Sequence, residues 1–194
     1  EIFPNSKFND AVAERAREFA ADSPKPRIAK GIALAPIQRE IDEDGSVSYS
    51  SVKVELDRNA RRATITLNGP KSEAPIDMDA FQAQGDQAYL FRLCRELDDA
   101  ILHLRLNEAE AGTWVFRTQG DPKLFAAHEN LLAENADNWL ANEVRQFWKR
   151  TLKRIDVTSR SLVALIEHGS CFTGVLAEIL WSVDRTYMME DEFD

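Results

Sequence analysis

The segment from Ser161 to Met189 constrains the fold of this chain more than any other. It opens with apolar residues at 162–166, passes through a loop with glycines at 169 and 174, and continues into a helical pattern. A second β-type run follows at 185–189. A strand, a glycine-bearing turn and a helix direct free backbone N–H groups towards one point, which can hold an anion or a developing oxyanion. This order predicts a β-α-β unit with a candidate site at its turn.

The preceding sequence supplies further strands and helices. Alternating apolar residues at 52–56 and 64–68, joined by a polar turn, indicate an antiparallel hairpin. Apolar spacings of three and four residues predict a helix from Asp86 to about residue 104, and another that Asn138 caps. A β-type run at 113–117 lies between them. Strands that alternate with helices favour parallel pairing, so the predicted fold class is α/β.

Two groups of side chains are predicted to lie in the core. Large apolar residues recur along one face of each long helix, and the four tryptophans lie on predicted elements at core-like positions, where packing is the default. The residues are Leu90, Leu93, Leu97, Ile101, Leu104, Leu140, Val144, Phe147, Trp148, Leu152 and Ile155, with Trp114, Trp139 and Trp181.

Residues 1–45 are predicted to form a helical connector that follows a preceding domain. Asn9 or Asp10 can cap a helix through about Ala21, and prolines at 24 and 26 end it. The weakly periodic sequence that follows, up to the acidic turn at 42–45, is interpreted as a linker. The globular pattern begins at Ser46, which predicts a domain over 46–194 that is truncated at its C-terminal end.

Composition excludes several classes of function. The net charge of −9 argues against nucleic-acid binding, which depends on basic patches. No apolar run is long enough to cross a bilayer, and no signal-like segment is present, so no membrane association is expected. Two cysteines, Cys94 and Cys171, cannot form a disulfide framework, which suits the cytoplasm. His103, His128 and His168 have no metal-ligand spacing, so no metal site is predicted.

Three phrases resemble the enoyl-CoA hydratase (crotonase) superfamily. They are ATITLNGPK, WVFRTQGDPKLFAAHE and SLVALIEHGSCFTGVLAEILWSVDRTYMM, which resemble the first crossover, the second strand and the central β-α-β unit of that superfamily. The resemblance implies a partial crotonase-like ββα spiral, preceded by the helical linker. At closer range RELDDAILHLR, NADNWL, RIDVTSRSL and IEHGSCFTGVLAE resemble the C-terminal half of the benzoyl-CoA-dihydrodiol lyase family.

This resemblance implies a reaction and its partners. The expected activity is opening of the ring of 2,3-epoxybenzoyl-CoA with water, giving an aldehyde-bearing acyl-CoA and formate in aerobic benzoate degradation. The substrate carries coenzyme A, and no cofactor or metal is implied. The expected partners are a preceding crotonase-like half of the same polypeptide and further copies in a homo-oligomer. The alternative is a non-catalytic pseudo-crotonase half that supports a catalytic N-terminal half.

The resemblance also implies the catalytic residues. The two backbone N–H donors that polarise the thioester carbonyl correspond to Glu129 and to Gly174, or to Val175 if the turn is displaced by one residue. Glu178 is the candidate acid or base, since a half-buried carboxyl with a raised pKa exchanges protons with water. The alternative for Glu178 is an inert glutamate that complements a helix dipole. The partner glutamate of hydratases would follow Asp194.

Two further residues are candidates for substrate binding. Cys171 lies in the loop itself, and Lys71 follows the Gly-Pro corner where family members meet the CoA adenine. The alternatives are a small apolar filler for Cys171 and an ordinary surface lysine for Lys71. His128, Thr173 and Val175 replace glycines of the family's pattern. Because their Cβ atoms would crowd a thioester, a degenerate pocket is the alternative for the whole site.

Overall fold

We describe residues 1–23 and 31–190 in a computed structural model, in which the chain divides into a unit of residues Glu1–Ile32 and a unit of residues Ala33–Asp194. The first unit contains helix α1, Asn5–Ala21. This helix begins earlier than the predicted cap at residues 9–10. Its Val12 and Phe19 side chains are exposed. The prolines predicted to end α1, at 24 and 26, lie outside the described residues.

The second unit is built on a seven-stranded sheet whose spatial order follows the sequence. Its first four strands pair antiparallel, and the fourth to the seventh pair parallel. The predicted α/β class and hairpin are therefore confirmed. The strands are β1 (Glu40–Ile41), β2 (Val47–Ser48), β3 (Val52–Asp57), β4 (Arg62–Asn68), β5 (Thr113–Gln119), β6 (Ser161–Ile166) and β7 (Arg185–Met188).

Three helices of this unit, at 78–83, 122–134 and 139–156, begin after a capping side chain. Asp77, Asp121 and Asn138 each accept a hydrogen bond from a backbone N–H in the first turn of the helix that follows. The helices are α2 (Met78–Ala83), α3 (Tyr89–Asn107), α4 (Pro122–Glu134), α5 (Trp139–Asp156) and α6 (Glu178–Ser182), with 3₁₀ turns at Gly85–Gln87 and Gly174–Leu176.

The core lies between one face of the sheet and the long helices. The predicted apolar positions of α3 and α5 are buried, except that Phe147 and Leu152 are only partly covered. Trp114 and Trp148 are buried as predicted. The prediction is wrong for Trp139 and Trp181, which are 46% and 84% exposed. Trp181 belongs to a five-residue helix that buries only Ile179, so most of this helix faces solvent.

Residues 33–45 belong to the sheet unit, which corrects the boundary predicted at residue 45. Strand β1 pairs with β2, and the backbone of Ala35 is held from both sides. Its N–H donates to Asp86 at 2.7 Å, and Arg95 donates to its carbonyl at 2.7 Å. Asp86 and Arg95 are themselves paired at 3.0 Å. The sequence missed this arrangement because two-residue strands carry no readable alternation.

Candidate functional site

The loops that follow β4, β5 and β6 meet at a close contact between glycines. The N–H of Gly69 donates to the carbonyl of Gln119 at 2.7 Å, and the N–H of Gly120 donates to the carbonyl of Gly169 at 3.0 Å. A Cβ atom on Gly120 would lie 2.8 Å from the Cα of Gly69, so a side chain has no room there. These contacts place the loop that follows β5 between the loops that follow β4 and β6. The carboxyl ends of parallel strands are the usual place for ligands in α/β sheets.

The predicted turn at 171–175 is closed by a carboxylate of the protein itself. Gly174 adopts a positive φ of 51°, and the N–H of the next residue, Val175, donates to Oε1 of Glu129 at 2.8 Å. The carboxyl group of Glu129 occupies the space that a Cβ atom on Gly174 would need. Glycine is therefore required at 174 both for its backbone conformation and for this contact.

Glu129 contributes its side chain to the turn, which corrects the predicted role of its backbone. The residue lies inside α4, where N–H groups point along the helix to carbonyls one turn earlier. A backbone N–H in this position is not directed at a ligand. Burial raises the pKa of the Glu129 carboxyl, the bond from Val175 opposes this rise, and the nearby charge of Glu178 adds to it.

A cavity of about 440 Å³ brings Glu129, Glu178 and Val175 together. Its remaining walls include buried Leu90 and Trp148, and the indole Nε1–H of Trp148 donates to the carbonyl of Leu90 at 3.0 Å. The side chain of Glu178 lines this cavity and is exposed to solvent. We call this space the carboxylate cavity; it is also lined by Asn130, Leu132, Ala133, Arg145, Lys149 and Leu152.

Two exposed cations of α5, Arg145 and Lys149, line the same cavity as the two carboxylates. Within the described parts of the chain, the ion pairs include none of these four side chains. Sequence reasoning missed both the cations and the side-chain role of Glu129. The i, i+4 spacing of Arg145 and Lys149 places them on one helix face, a signal that was readable beforehand.

Lys71 lies in a different cavity, of about 480 Å³, on the other side of α4. This second cavity is polar, and Arg92 is its other cation. Two buried aromatic side chains hold its loop: Nε2 of His128 lies 3.0 Å from the carbonyl of Ser72, and the hydroxyl of Tyr89 donates to the carbonyl of Asn68 at 2.8 Å. Among residues 1–23 and 31–190, the buried Nδ1 atom of His128 has no hydrogen-bond partner. We call this space the lysine cavity.

Cys171 is completely buried, which corrects its prediction as a substrate contact. Its backbone N–H donates to Oγ1 of Thr118 at 2.8 Å, and its thiol packs inside the protein. Burial raises the pKa of this thiol, and the charge of Asp121 adds to the rise. A neutral, enclosed thiol is a packing group rather than a nucleophile. Cys171 therefore serves as the small apolar filler that was its alternative interpretation.

In residues 1–23 and 31–190, no group of three or more histidine, cysteine, aspartate or glutamate side chains is placed to hold a metal ion. In the same residues, no helix combines the length and the apolar composition needed to cross a bilayer.

Comparisons with known proteins give one extensive match. No family model matches the chain. A solved structure of enoyl-CoA hydratase from Geobacillus kaustophilus HTA426 covers 74% of this chain and 47% of its own, at 19% identity and a TM-score of 0.48, too loose to support an argument. Benzoyl-CoA-dihydrodiol lyase of Aromatoleum evansii is 38% identical over 190 residues, 98% of this chain and 34% of the lyase. This chain is therefore similar, over nearly its whole length, to about one third of a benzoyl-CoA-dihydrodiol lyase, as its sequence phrases predicted.

Proposed function

We propose that this chain is part of a CoA-thioester lyase that opens the ring of 2,3-epoxybenzoyl-CoA with water and releases formate in aerobic benzoate degradation. The observation that carries the proposal is the 38% identity to a benzoyl-CoA-dihydrodiol lyase over 98% of the chain. The chain spans about a third of the length of that relative, so the activity is proposed for the complete polypeptide and not for this part alone.

The carboxylate cavity is the proposed place for the acyl group. The buried side chains of Leu90 and Trp148 offer apolar contacts to an aromatic or ring-opened acyl chain, and the exposed side chain of Glu178 is accessible to water. In the first step of the proposed reaction a carboxylate takes a proton from water as the water oxygen bonds to carbon and the epoxide C–O bond breaks, and an acid gives a proton to the released oxygen. The diol then takes up a second water as a ring C–C bond breaks, which gives the aldehyde-bearing acyl-CoA and formate. Glu178 is the proposed proton acceptor. No metal or redox cofactor is part of this proposal.

The lysine cavity is the proposed place for the CoA portion of the substrate. Lys71 and Arg92 are cationic, and the surrounding serine, asparagine and glutamine side chains offer hydrogen bonds to phosphate, ribose or pantetheine groups. The proposed partners are a preceding crotonase-like half of the same polypeptide and further copies in a homo-oligomer.

A second candidate function is structural support without turnover. It is favoured by the hydrogen bond between Val175 and Glu129, because this bond occupies the N–H that would otherwise polarise a thioester carbonyl. The exposed position of Glu178 favours the same reading, since a solvated glutamate has no reason to act as a tuned acid or base. In this case the chain would buttress a catalytic half of the polypeptide.

Substitution of Glu178 separates the two candidates. In the complete natural polypeptide, Glu178→Gln is expected to lower kcat for 2,3-epoxybenzoyl-CoA by about 10²-fold or more if Glu178 transfers a proton. Glu190→Gln is the matched control, a nearby exposed carboxyl outside the carboxylate cavity. Unchanged turnover in Glu178→Gln, with benzoyl-CoA still bound, would remove the catalytic role and leave the structural one.

A further inference from the structure

The hydrogen bond between Glu129 and Val175 blocks access of a ligand to the Val175 N–H. The Val175 N–H is one of the two alternative backbone donors predicted in this turn, the other being that of Gly174, and the carboxylate of Glu129 already accepts its bond at 2.8 Å. A thioester carbonyl and this carboxylate cannot both receive the same N–H in good geometry. Any use of the donor by a ligand therefore requires the Glu129 side chain to leave.

The same cavity contains an alternative partner for that side chain. Arg145 and Lys149 line it from α5 and belong to none of the ion pairs formed among the described residues. A carboxylate that lines the same cavity gains Coulomb attraction and charge-assisted hydrogen bonds if it turns towards them. The side chain of Glu129 is only partly buried, so it has space to change rotamer.

The contact with Gly174 explains how the Glu129 carboxyl can reach the Val175 N–H. The absence of a Cβ atom at 174 leaves the space that the Glu129 carboxyl fills. The nearby negative charge of Glu178 repels the same carboxylate in this position. The position on Val175 thus combines one hydrogen bond from an uncharged backbone N–H with one repulsive charge, whereas the alternative position offers two cations.

We propose that Glu129 is a two-position latch: its carboxylate closes the turn on the Val175 N–H, and moves to Arg145 and Lys149 to free that donor for the thioester carbonyl. The ligand part of this inference rests on the proposed function, whereas the two positions of the side chain do not. Arg145 and Lys149 act here as positioning residues, because they work through Glu129.

Hydrogen exchange of the Val175 amide measures the latch directly, without substrate. The rate is expressed relative to the Ala177 amide, which donates to the carbonyl of Gly174 and senses the same local charge. Glu129→Ala is expected to raise the relative rate about tenfold, since it removes the acceptor. The double variant Arg145→Gln/Lys149→Gln is expected to lower it several-fold, because the open position loses its partners.

A third cation of α5, Lys153, provides the control for the exchange experiment. Lys153→Gln removes a cation of the same helix that pairs with Asp156 outside the cavity, and is expected to leave the relative rate unchanged. If the double variant exchanges at the same relative rate as the wild type, the proposed position of the Glu129 carboxylate on Arg145 and Lys149 is overturned. Should Glu129→Ala not fold, Glu129→Gln keeps an acceptor oxygen, removes the charge, and is expected to abolish the effect of the double variant.

Binding of benzoyl-CoA to the complete polypeptide distinguishes failure of the latch from failure of the proposed function. If both hold, Glu129→Ala binds several-fold more tightly than the wild type, and the double variant binds several-fold more weakly. If the exchange pattern holds but the wild type, Glu129→Ala and the double variant all fail to bind benzoyl-CoA, the latch stands and the CoA function is overturned. If benzoyl-CoA binds equally to all variants and exchange does not respond, the latch alone is overturned.

Discussion

Gly120 packs its backbone directly against the Cα of Gly69, and this contact joins the loops that follow β4 and β5. A Cβ atom on Gly120 would lie 2.8 Å from that Cα and 3.1 Å from the Gly69 nitrogen, and backbone atoms cannot yield as a side chain can. The nitrogen of Gly69 is also the donor to Gln119 at 2.7 Å, so separating the loops would weaken a hydrogen bond.

Gly120→Ala is therefore expected to lower the free energy of unfolding by about 2 to 4 kcal/mol, as backbone strain and a lost hydrogen bond combine. Urea unfolding measures the change. Gly112→Ala is the matched control, since its nearest neighbour would be 3.9 Å away and only a small effect is expected. Equal losses in the two variants would contradict the close-contact explanation.

Gly174→Ala is expected to cost more stability than Gly169→Ala. Both glycines have positive φ, 51° and 78°, so both variants incur backbone strain of about 1 kcal/mol. Only at 174 does the new methyl group meet a neighbour, the Glu129 carboxyl, whereas nothing lies within 4 Å at 169. We expect an additional loss of about 1 to 2 kcal/mol, the range of one broken hydrogen bond.

A double-mutant cycle isolates this contact. In a Glu129→Ala background the methyl group at 174 has no carboxyl to displace, so Gly174→Ala should cost about as much as Gly169→Ala. If the cost of Gly174→Ala is the same with and without the Glu129 carboxyl, the contact does not contribute to the difference between the two glycines.

The ionisation of Glu129 should make the protein less stable as the pH rises. Its pKa in the folded state is raised above the ordinary 4.5, so the folded state keeps this proton to higher pH than the unfolded chain does. Its contribution to stability is fully present below pH 4.5 and is lost as the pH rises through the raised pKa. We expect Glu129→Gln, which cannot ionise, to gain stability relative to the wild type over this rise.

The measurement is urea unfolding of both proteins at a series of pH values, with the difference between them plotted so that other carboxyls cancel. Asp44 is the control, because hydrogen bonds from Ser46 lower its pKa. Asp44→Asn should therefore lose stability relative to the wild type as the pH rises, the opposite sign. A flat difference for Glu129→Gln would contradict the raised pKa.

Neither cysteine should react readily in the folded protein. Burial raises the pKa of Cys94 to about 12, and burial together with the charge of Asp121 raises that of Cys171. Because the thiolate is the reactive species, alkylation by iodoacetamide at neutral pH should be at least about tenfold slower in the native state than in denaturant. Mass spectrometry of peptides reports each site separately. Rapid native labelling of Cys171 would restore it as a candidate contact for substrate.

The long elements were predictable because their signals are local. The face of α3 repeats apolar residues every three or four positions over five turns, and all of its predicted core positions are buried. The predicted cap at Asn138 fixes where α5 begins. The hairpin of β3 and β4 follows from alternation within each strand.

What could not be predicted depends on tertiary neighbours. The sequence places Gly174 in a turn, but which side chain fills the space beside it is decided by the packing of α4 against that turn. The same packing directs the carboxyl of Glu129 to Val175, whereas sequence reasoning had considered only its backbone. Exposure of Trp181 likewise depends on α6 being five residues long, and the helical pattern had suggested more.

Two consecutive residues of helix α4 line different cavities: His128 lines the lysine cavity, and Glu129 lines the carboxylate cavity. At the start of α3, Tyr89 likewise lines the lysine cavity and Leu90 lines the carboxylate cavity. A rotation of α4 about its axis would therefore move a wall of both cavities at once. If a ligand in one cavity favours one orientation of the helix, the two sites share a coupling free energy, which by thermodynamic reciprocity is the same in both directions.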